Sequence, residues 1–389
     1  MEIKVLKTMA LLVAFLVLGV TNGVGQPFTV ATLNVDGLPQ TILGIPLNDD
    51  GPGKDGTERA SQYLADKGYD IIGVQEDFYY HDELTEKLED PYYWGMVQHF
   101  NWANLPWFHL DGLTTFDTDG LCQFWLKRHL LQGEDYVRWN DSYGRTDHCN
   151  DALCKKGFRI AQMKLANGRQ IVIYNMHMDA SEDADEKSGA DWHDKEARWN
   201  QWRQLRSFVQ SRLDDRPVIV MGDMNSYYTR DSILSLFIRP IEATGRYVVR
   251  DCWVEYSRQG IYPAIGTPHL NPWTYDFQRG EMLDKILYIC PVKGPRLELL
   301  DYRVEMDYIR DNGKPIGDHR PVVAKFRIVE KGDANGDGVV NSADAGCAAH
   351  YLVGITTTGF SAWATDVNDD GRIDISDVIR IISMISRKG

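Results

Sequence analysis

Five short apolar runs in this chain each end on a side chain suited to holding a cation or a phosphate. Thr29–Leu33 leads into Asn34, Ile71–Val74 into Gln75-Glu76, and Ile171–Tyr174 into Asn175-Met176-His177. Val218–Met221 leads into Gly222-Asp223-Met224-Asn225, and a later stretch closes on Gly317-Asp318-His319. Hydrolysis of a phosphate ester needs charge neutralised on the phosphoryl oxygens, an oriented water and help for the leaving group. A hard cation such as Mg2+ prefers oxygen ligands and keeps several waters, so one or two carboxylates suffice. Glu76 is the first candidate ligand, against the plain alternative of a solvated glutamate at a strand end. Asp223 and Asn225 sit two apart and would point the same way on an extended segment, unless Gly222–Asn225 is only an Asx-turn. His319 offers an imidazole base, and Asp284 could orient it or instead pair with Lys285 or Arg320. His177 could donate to a phosphate oxygen or be a satisfied strand-end histidine.

The elements that must position these groups follow from periodicity. Helix-like spacing runs over Ser61–Lys67, Asp82–Leu88 and Lys195–Leu213, and Phe158–Leu165 with Gln170–Tyr174 flank the turn Ala166-Asn167-Gly168 as a hairpin. Strands adjacent in sequence, as well as strands separated by helices, predict a layered α/β or α+β architecture over residues 28–329. At 389 residues, with 43% hydrophobic and 25% charged residues, the chain is globular and too long for one average domain. Its formal charge of −14 argues against gripping nucleic acid by bulk electrostatics but leaves room for a nuclease working through a bound cation.

Residues 1–25 have the pattern of an export signal: Lys4 and Lys7, the apolar stretch Met9–Val20, then small residues ending Gly23-Val24-Gly25. The apolar part is short for a membrane-spanning helix, and no cysteine follows it to carry a lipid, so no stable membrane insertion is expected. Among the six cysteines, Cys149 and Cys154 flank a short polar loop and are the expected disulfide; Cys290 and Cys347 read as buried thiols. Cys122 and Cys252 are left undecided.

Beyond Lys331-Gly332 the composition turns to Asp, Asn and Gly. Asp333, Asn335, Asp337, Asn341 and Asp344 fall at positions 1, 3, 5, 9 and 12 of a calcium-loop frame, with Gly338 at the sharp turn and Val339 offering its carbonyl. The frame recurs with Asp366, Asn368, Asp370, Arg372 (carbonyl), Asp374 and Asp377. An apolar helix is expected after each loop, Ala343–Leu352 and Ser376–Ile385. No helix enters the first loop, and Asp rather than Glu ends both.

Thr32-Leu33-Asn34, Val74-Gln75-Glu76, His177, Gly222-Asp223-Met224-Asn225, Leu283-Asp284-Lys285-Ile286 and Gly317-Asp318-His319 together resemble the endonuclease/exonuclease/phosphatase superfamily. That superfamily includes deoxyribonuclease I, abasic-site endonucleases, inositol-phosphate phosphatases and neutral sphingomyelinases. The resemblance implies a four-layer sandwich, two packed β-sheets with helices outside, and a divalent metal (Mg2+ or Mn2+) at one end. It implies that Glu76 holds the metal, with Asn34 and Asp318 completing or supporting its shell. Asp223 and Asn225 would position water and phosphate, His319 oriented by Asp284 would be the general base, and His177 would stabilise the transition state. Gly317 departs from the Ser more usual before Asp-His.

Asp151–Phe158, then His177–Asp183, with Arg198-Trp199-Asn200-Gln201 on the next helix, resemble the secreted bacterial sphingomyelinase branch. Lys156-Gly157-Phe158 also reads as an ordinary turn into a strand. The aromatic stretch Trp94–Phe108, with Trp102 and Trp107, is either loop core or an apolar lip for a lipid or sugar. A phospholipid phosphodiester is therefore the favoured substrate class; a deoxyribonuclease I-like action on nucleic acid, or a sugar- or inositol-phosphate monoester, is the alternative. A non-catalytic scaffold protein is disfavoured because every expected position is filled.

Residues 332–389 resemble a type I dockerin, a small all-α module. That implies two Ca2+ ions, calcium-dependent folding and docking onto a cohesin of a scaffold protein, unless the module only stabilises this chain. The implied location is extracellular, with attachment to a cell-surface scaffold through the dockerin.

Overall fold

The computed structural model describes residues 27–42, 45–46, 48, 50–98, 118–143, 156–181, 189–273 and 276–388. The export-signal reading, the Cys149–Cys154 pairing, Trp102, Trp107, Asp151–Lys155 and Glu182-Asp183 lie outside them. The described residues form two compact units, 28–292 with 299–325, and 293–298 with 326–388.

Two six-stranded sheets make the sandwich. In chain order the strands are β1 Phe28–Asn34, β2 Thr41–Ile42, β3 Ile45–Pro46, β4 Ile71–Gln75, β5 Tyr92–Gln98, β6 Thr118–Leu126 and β7 Leu130–Arg138. They continue as β8 Gly157–Lys164, β9 Gln170–His177, β10 Val218–Asp223, β11 Tyr247–Asp251, β12 Asp284–Pro291, β13 Arg296–Val304 and β14 Val322–Val329. One sheet has the order β13-β14-β1-β4-β6-β5 and the other β11-β12-β10-β9-β8-β7, while β2 and β3 pair separately. β4, β10 and β12 are buried along their whole length, as their unbroken apolar runs require of central strands covered on both faces. β7, at a sheet edge, is largely exposed.

Each sheet holds a parallel pair near its centre, β1 with β4 and β9 with β10. A parallel pair needs a crossover, supplied here by the helices Gly53–Lys67 and Gly189–Arg212. The first helix ends on Gly68, whose left-handed φ of 62° returns an N–H to Leu64 O. The parallel pairing brings the C-terminal ends of β1 and β4 together, with Asn34 opposite Gln75. The same holds for β9 and β10, with Asp223 opposite His177. Because β12 is antiparallel to β10, its first residue, Asp284, also lies opposite Asp223. β1 packs on β10 and β12, and β4 on β9 and β10, so both sets of strand ends meet at one end of the sandwich.

A polar clasp joins the sheets beneath that end. Gln75 Nε2 donates to Asn175 Oδ1 (2.6 Å), and Asn175 Nδ2 donates to the carbonyls of Val74 and Cys122 (both 3.1 Å). Gln75 and Asn175 are fully buried, so their pairing satisfies amides that would otherwise be costly there.

Candidate active site and calcium loops

Asn34 is the hub of the site. Its Nδ2 donates to Glu76 Oε1 (2.9 Å) and to Asp223 Oδ2 (3.1 Å), tying the two sheets' carboxylates together. Its Oδ1 accepts the Asp36 N–H (2.9 Å), which leaves one lone pair on that oxygen. His177 Nε2 lies 3.6 Å from Glu76 Oε1 and 3.5 Å from Asp223 Oδ2. Across the site, His319 Nδ1 is 2.6 Å from Asp284 Oδ2, and its Nε2 is 3.7 Å from Asp223 Oδ2. One donor atom each from Asp223, Asp284 and His319 lie within 4.8 Å of one another.

The backbone here is unusual. Asp36, Glu76 and Asn225 have φ of 50°, 57° and 45°, a left-handed conformation that non-glycine residues rarely adopt and that clusters at functional sites. The Asp36 turn brings Gly37 onto Glu76, where its N–H donates to the Glu76 carbonyl (3.1 Å) and an added Cβ would meet that oxygen at 2.3 Å. Gly222, with φ 145°, crosses so close to Met176 O that a Cβ would stand 2.0 Å from it.

Charge is concentrated and desolvated. Burial pushes the Glu76 carboxyl up, Lys156 and the Asn34 bond pull it back, and Asp318 adds to the rise. Burial, then Asp318 and Glu76, push Asp36 up to about 7. Burial lowers His177 well below the ordinary histidine value, and Lys156 and His319 lower it further, so its imidazole is neutral. Burial would also lower His319, but Asp284 and Asp223 outweigh it and hold this imidazole well above its usual value. The carboxylates of Asp36, Glu76, Asp223 and Asp318 therefore stand close without enough positive charge among them, and all are hard oxygen donors. That donor set fits a divalent cation.

The two C-terminal loops repeat one bonding pattern. Asp333 accepts the N–H groups of Asp337 (2.9 Å) and Gly338 (2.9 Å), and Asp366 those of Asp370 (3.2 Å) and Gly371 (3.0 Å). Asp344 accepts from Asn335 and Asn341, and Asp377 from Val367 and Asp374. Gly338 and Gly371, with φ of 87° and 78°, make the turn. Helices Ser342–Leu352 and Ile375–Lys388 follow the loops. Donor atoms of Asp333, Asp337 and Asp344 lie within 4.8 Å of one another, and burial with Asp344's charge pushes Asp333 up to about 6. Carboxylates crowded around a loop in this way fit a calcium ion.

The sequence pattern described as the Endonuclease/Exonuclease/phosphatase family matches residues 31–288. The chain belongs to this family. Its members are hydrolases of phosphate esters that generally use divalent metals. Residues 331–386 match the type I dockerin domain, a calcium-binding module. Proteins named sphingomyelinase from Mycobacterium bovis and Mycobacterium tuberculosis are 26% identical over 319 residues, covering 79% of this chain and 54% of theirs. The chain thus spans about half the length of these curated relatives, 54%. Among solved structures, the human Nocturnin catalytic domain with a bound sulfate anion aligns at 18% identity and TM-score 0.51, over 78% of this chain and 95% of that one. D. rerio TDP2 complexed with a single-stranded DNA product aligns at 15% identity and TM-score 0.50, over 78% and 99%. At these identities the likeness is one of fold, the two packed sheets with outer helices.

The family fold brings Asn34, Glu76, His177, Asp223, Asp284 and His319 to one end, and Asp318 acts electrostatically on Glu76 there. Asp284 pairs with His319, whereas Lys285 bonds Glu281 and Arg320 bonds the carbonyls of Glu305 and Met306. Asn225 departs from expectation. Its left-handed turn breaks the extended segment, its N–H bonds Asp223 Oδ1 (3.0 Å) as an Asx-turn does, and its Nδ2 donates to Met178 O (3.1 Å). Two charged groups of the site were missed from sequence, Asp36 and Lys156. Asp36 stands two residues past Asn34, where a polar residue at a strand exit was itself the available signal. Lys156 was read as part of the sphingomyelinase-branch resemblance or as a turn into a strand, without a role in the site, and its near-complete burial (5% exposed) was invisible in the sequence. Cys122, Cys252, Cys290 and Cys347 are buried. Among the described residues no helix is long and apolar enough to cross a membrane.

Proposed function

We propose that this protein is an exported, Mg2+-dependent phosphodiesterase acting on a phosphocholine-bearing lipid of the sphingomyelin type. The catalytic domain would occupy residues 28–329, after an export signal at 1–25, and the dockerin 332–389. One observation carries the hydrolytic reading: the Asp284–His319 pair faces Asp223, which Asn34 ties to Glu76. The lipid reading is supported by the 26% identity over 319 residues to proteins named sphingomyelinase.

Glu76 would hold the cation, with Asp318 and the free lone pair of Asn34 completing the protein share of its shell. When bound, the cation supplies Lewis-acid stabilisation of phosphoryl charge. His319 Nε2 removes a proton from the attacking water while Asp284 fixes the ring through Nδ1. Asp284 and Asp223 raise this imidazole's pKa most and Asp318 adds to the rise, so a cation on Asp318 would offset only that last share. Asp223, with one oxygen on Asn34 and the other on the Asn225 N–H, orients the water. Neutral His177 offers an N–H to a non-bridging oxygen, and buried Lys156 adds a positive charge beside Glu76. The bond from phosphorus to the leaving oxygen breaks as the bond to water oxygen forms, releasing phosphocholine and the lipid alcohol. The dockerin loops would hold two Ca2+ and dock the enzyme onto a cohesin of an extracellular scaffold.

The test is hydrolysis by the purified chain with Mg2+, offered sphingomyelin vesicles and plasmid DNA in parallel, with EDTA and Glu76→Ala controls. Phosphocholine release abolished by both controls supports the proposal. Plasmid nicking without phosphocholine release would replace the lipid with nucleic acid, and turnover indifferent to Glu76→Ala would remove the site itself.

A further inference from the structure

A second constellation lies behind the strand end that carries Glu76, and the hydrolytic reading makes no use of it. We propose that Asp77, His81 and Cys122 form a separate binding site for a borderline-soft transition ion of the zinc class. One donor atom from each lies within 4.8 Å of the other two. They supply an oxygen, a nitrogen and a sulfur.

The fold brings them together from three directions. Asp77 follows β4, and its N–H donates across to Gly120 O (2.9 Å), fixing the turn against β6. His81 opens the short helix His81–Thr85 four residues on, which puts its Nδ1 2.6 Å from Asp77 Oδ2. Cys122 lies on β6 opposite Val74 of β4. Asp77 and Cys122 are buried, whereas the His81 side chain is 18% exposed and gives the ion its way in. The Trp94 ring stands edge-on to the imidazole, its centroid 4.5 Å away.

Asp77 already bonds both the His81 imidazole and the Cys122 thiol, so the three donors converge on one carboxylate. His81 Nε2 is buried without a hydrogen-bond partner, and so is Oδ2 of the fully buried Asp119. Burial, then Asp77, raise the Cys122 thiol; Arg159 opposes the rise and Asp119 adds to it. The donor chemistry selects the ion. Thiolate and imidazole favour zinc-class ions, while Mg2+ and Ca2+ favour all-oxygen sites such as the one at Glu76. Loading exchanges the ion for the Cys122 thiol proton and for the Nδ1 proton that His81 shares with Asp77. Because Asp77 is bonded directly to Glu76, an ion held here also fixes the left-handed turn at Glu76.

Co2+ is the probe, added to chelator-stripped full-length protein with Mg2+ and Ca2+ in excess to fill the oxygen-rich sites. A thiolate-to-cobalt charge-transfer band in the near ultraviolet is expected to saturate stoichiometrically and to be displaced by Zn2+. It should vanish in Cys122→Ser, fall at least tenfold in affinity in His81→Gln, and persist in Cys347→Ser and Glu76→Ala. Persistence in Glu76→Ala makes the result independent of the phosphodiesterase reading. Absence of the band in the parent protein, or its survival in Cys122→Ser, overturns the site. If Cys122→Ser does not fold, an undiminished band in His81→Gln overturns it equally.

Discussion

Asp284 touches the proposed base through one short hydrogen bond, so replacing its charge while keeping its shape isolates what that bond does. In Asp284→Asn the amide can still meet His319 Nδ1, but the carboxylate that orients and supports the imidazole is gone. We expect kcat to fall about 10²–10⁴-fold, the range of general acid–base contributions. KM should stay within a few-fold and the circular dichroism spectrum should not change; an unchanged kcat would remove His319 from the role of base. Asn34 makes a different prediction, since it bonds two carboxylates rather than one. In Asn34→Ala the Mg2+ concentration for half-maximal activity should rise about 10–100-fold or more, because the variant loses both the bond that orients Glu76 and an oxygen of the proposed shell. An Mg2+ titration that superimposes on the parent's would refute it. At this scale the residue types were legible in the sequence because each closes an apolar run. Directions were not: Asn225 turns left-handed onto Met178, a tertiary contact that spacing cannot encode.

Strand ends deliver the site because both central pairs are parallel, and parallel pairing follows from a helix between two apolar runs. That much could be read from the alternation of patterns. The start of the first crossover helix could not. Expected at Ser61, it begins at Gly53, because Gly53 and Gly56 look like loop residues. In place both are buried, and an added Cβ on Gly56 would press on Pro52 at 2.5 Å. Asp70 shows what fastens this crossover to its sheet. It accepts from Thr29 N (2.9 Å) and Oγ1 (3.1 Å) on β1, from Arg128, and from His129 Nε2 (2.7 Å), while His129 Nδ1 accepts the Ala166 N–H (3.1 Å). Burial would raise its pKa, but the bonds from His129 and Arg128 win and hold it below the usual 3.8. A depressed folded pKa means the contribution is complete above the unfolded value and is lost as pH falls through the folded one. Asp70→Asn should therefore cost about 2 kcal/mol at pH 7, with little credited to Arg128, whose side chain is 54% exposed. The gap between variant and parent in urea unfolding should narrow and close as the pH falls below 3.8 through the depressed folded value. A gap that stayed constant into acid would show that packing, not the carboxylate, fastens the turn.

Each of the two units has its own core, and the cores differ in how much they can carry alone. The larger is built on Leu33, Ile72, Val74, Phe124 and Val323 among others. The smaller rests on Ala334, Cys347, Ala348, Val378 and Ile381, too few buried side chains to offset the ordering of its chain without a staple. Its loops, by contrast, gather carboxylates that repel until a cation joins them. The loop frame was the most readable feature of the whole sequence, because ligand positions in a calcium loop are fixed by local geometry and owe nothing to distant contacts. Local encoding of this kind also makes the unit's stability separable from that of the sandwich. Calorimetry of the full chain should show two transitions, and EGTA should lower only the smaller by tens of degrees, since metal-binding free energy is folding free energy in such modules. Asp333→Ala with Asp366→Ala should abolish that calcium response and any capture by an immobilised cohesin, while Mg2+-dependent hydrolysis keeps its parent kcat. A double variant that lost hydrolysis in step with calcium binding would mean that the two units fold as one, and the phosphodiesterase would then have to be analysed as a calcium-controlled enzyme.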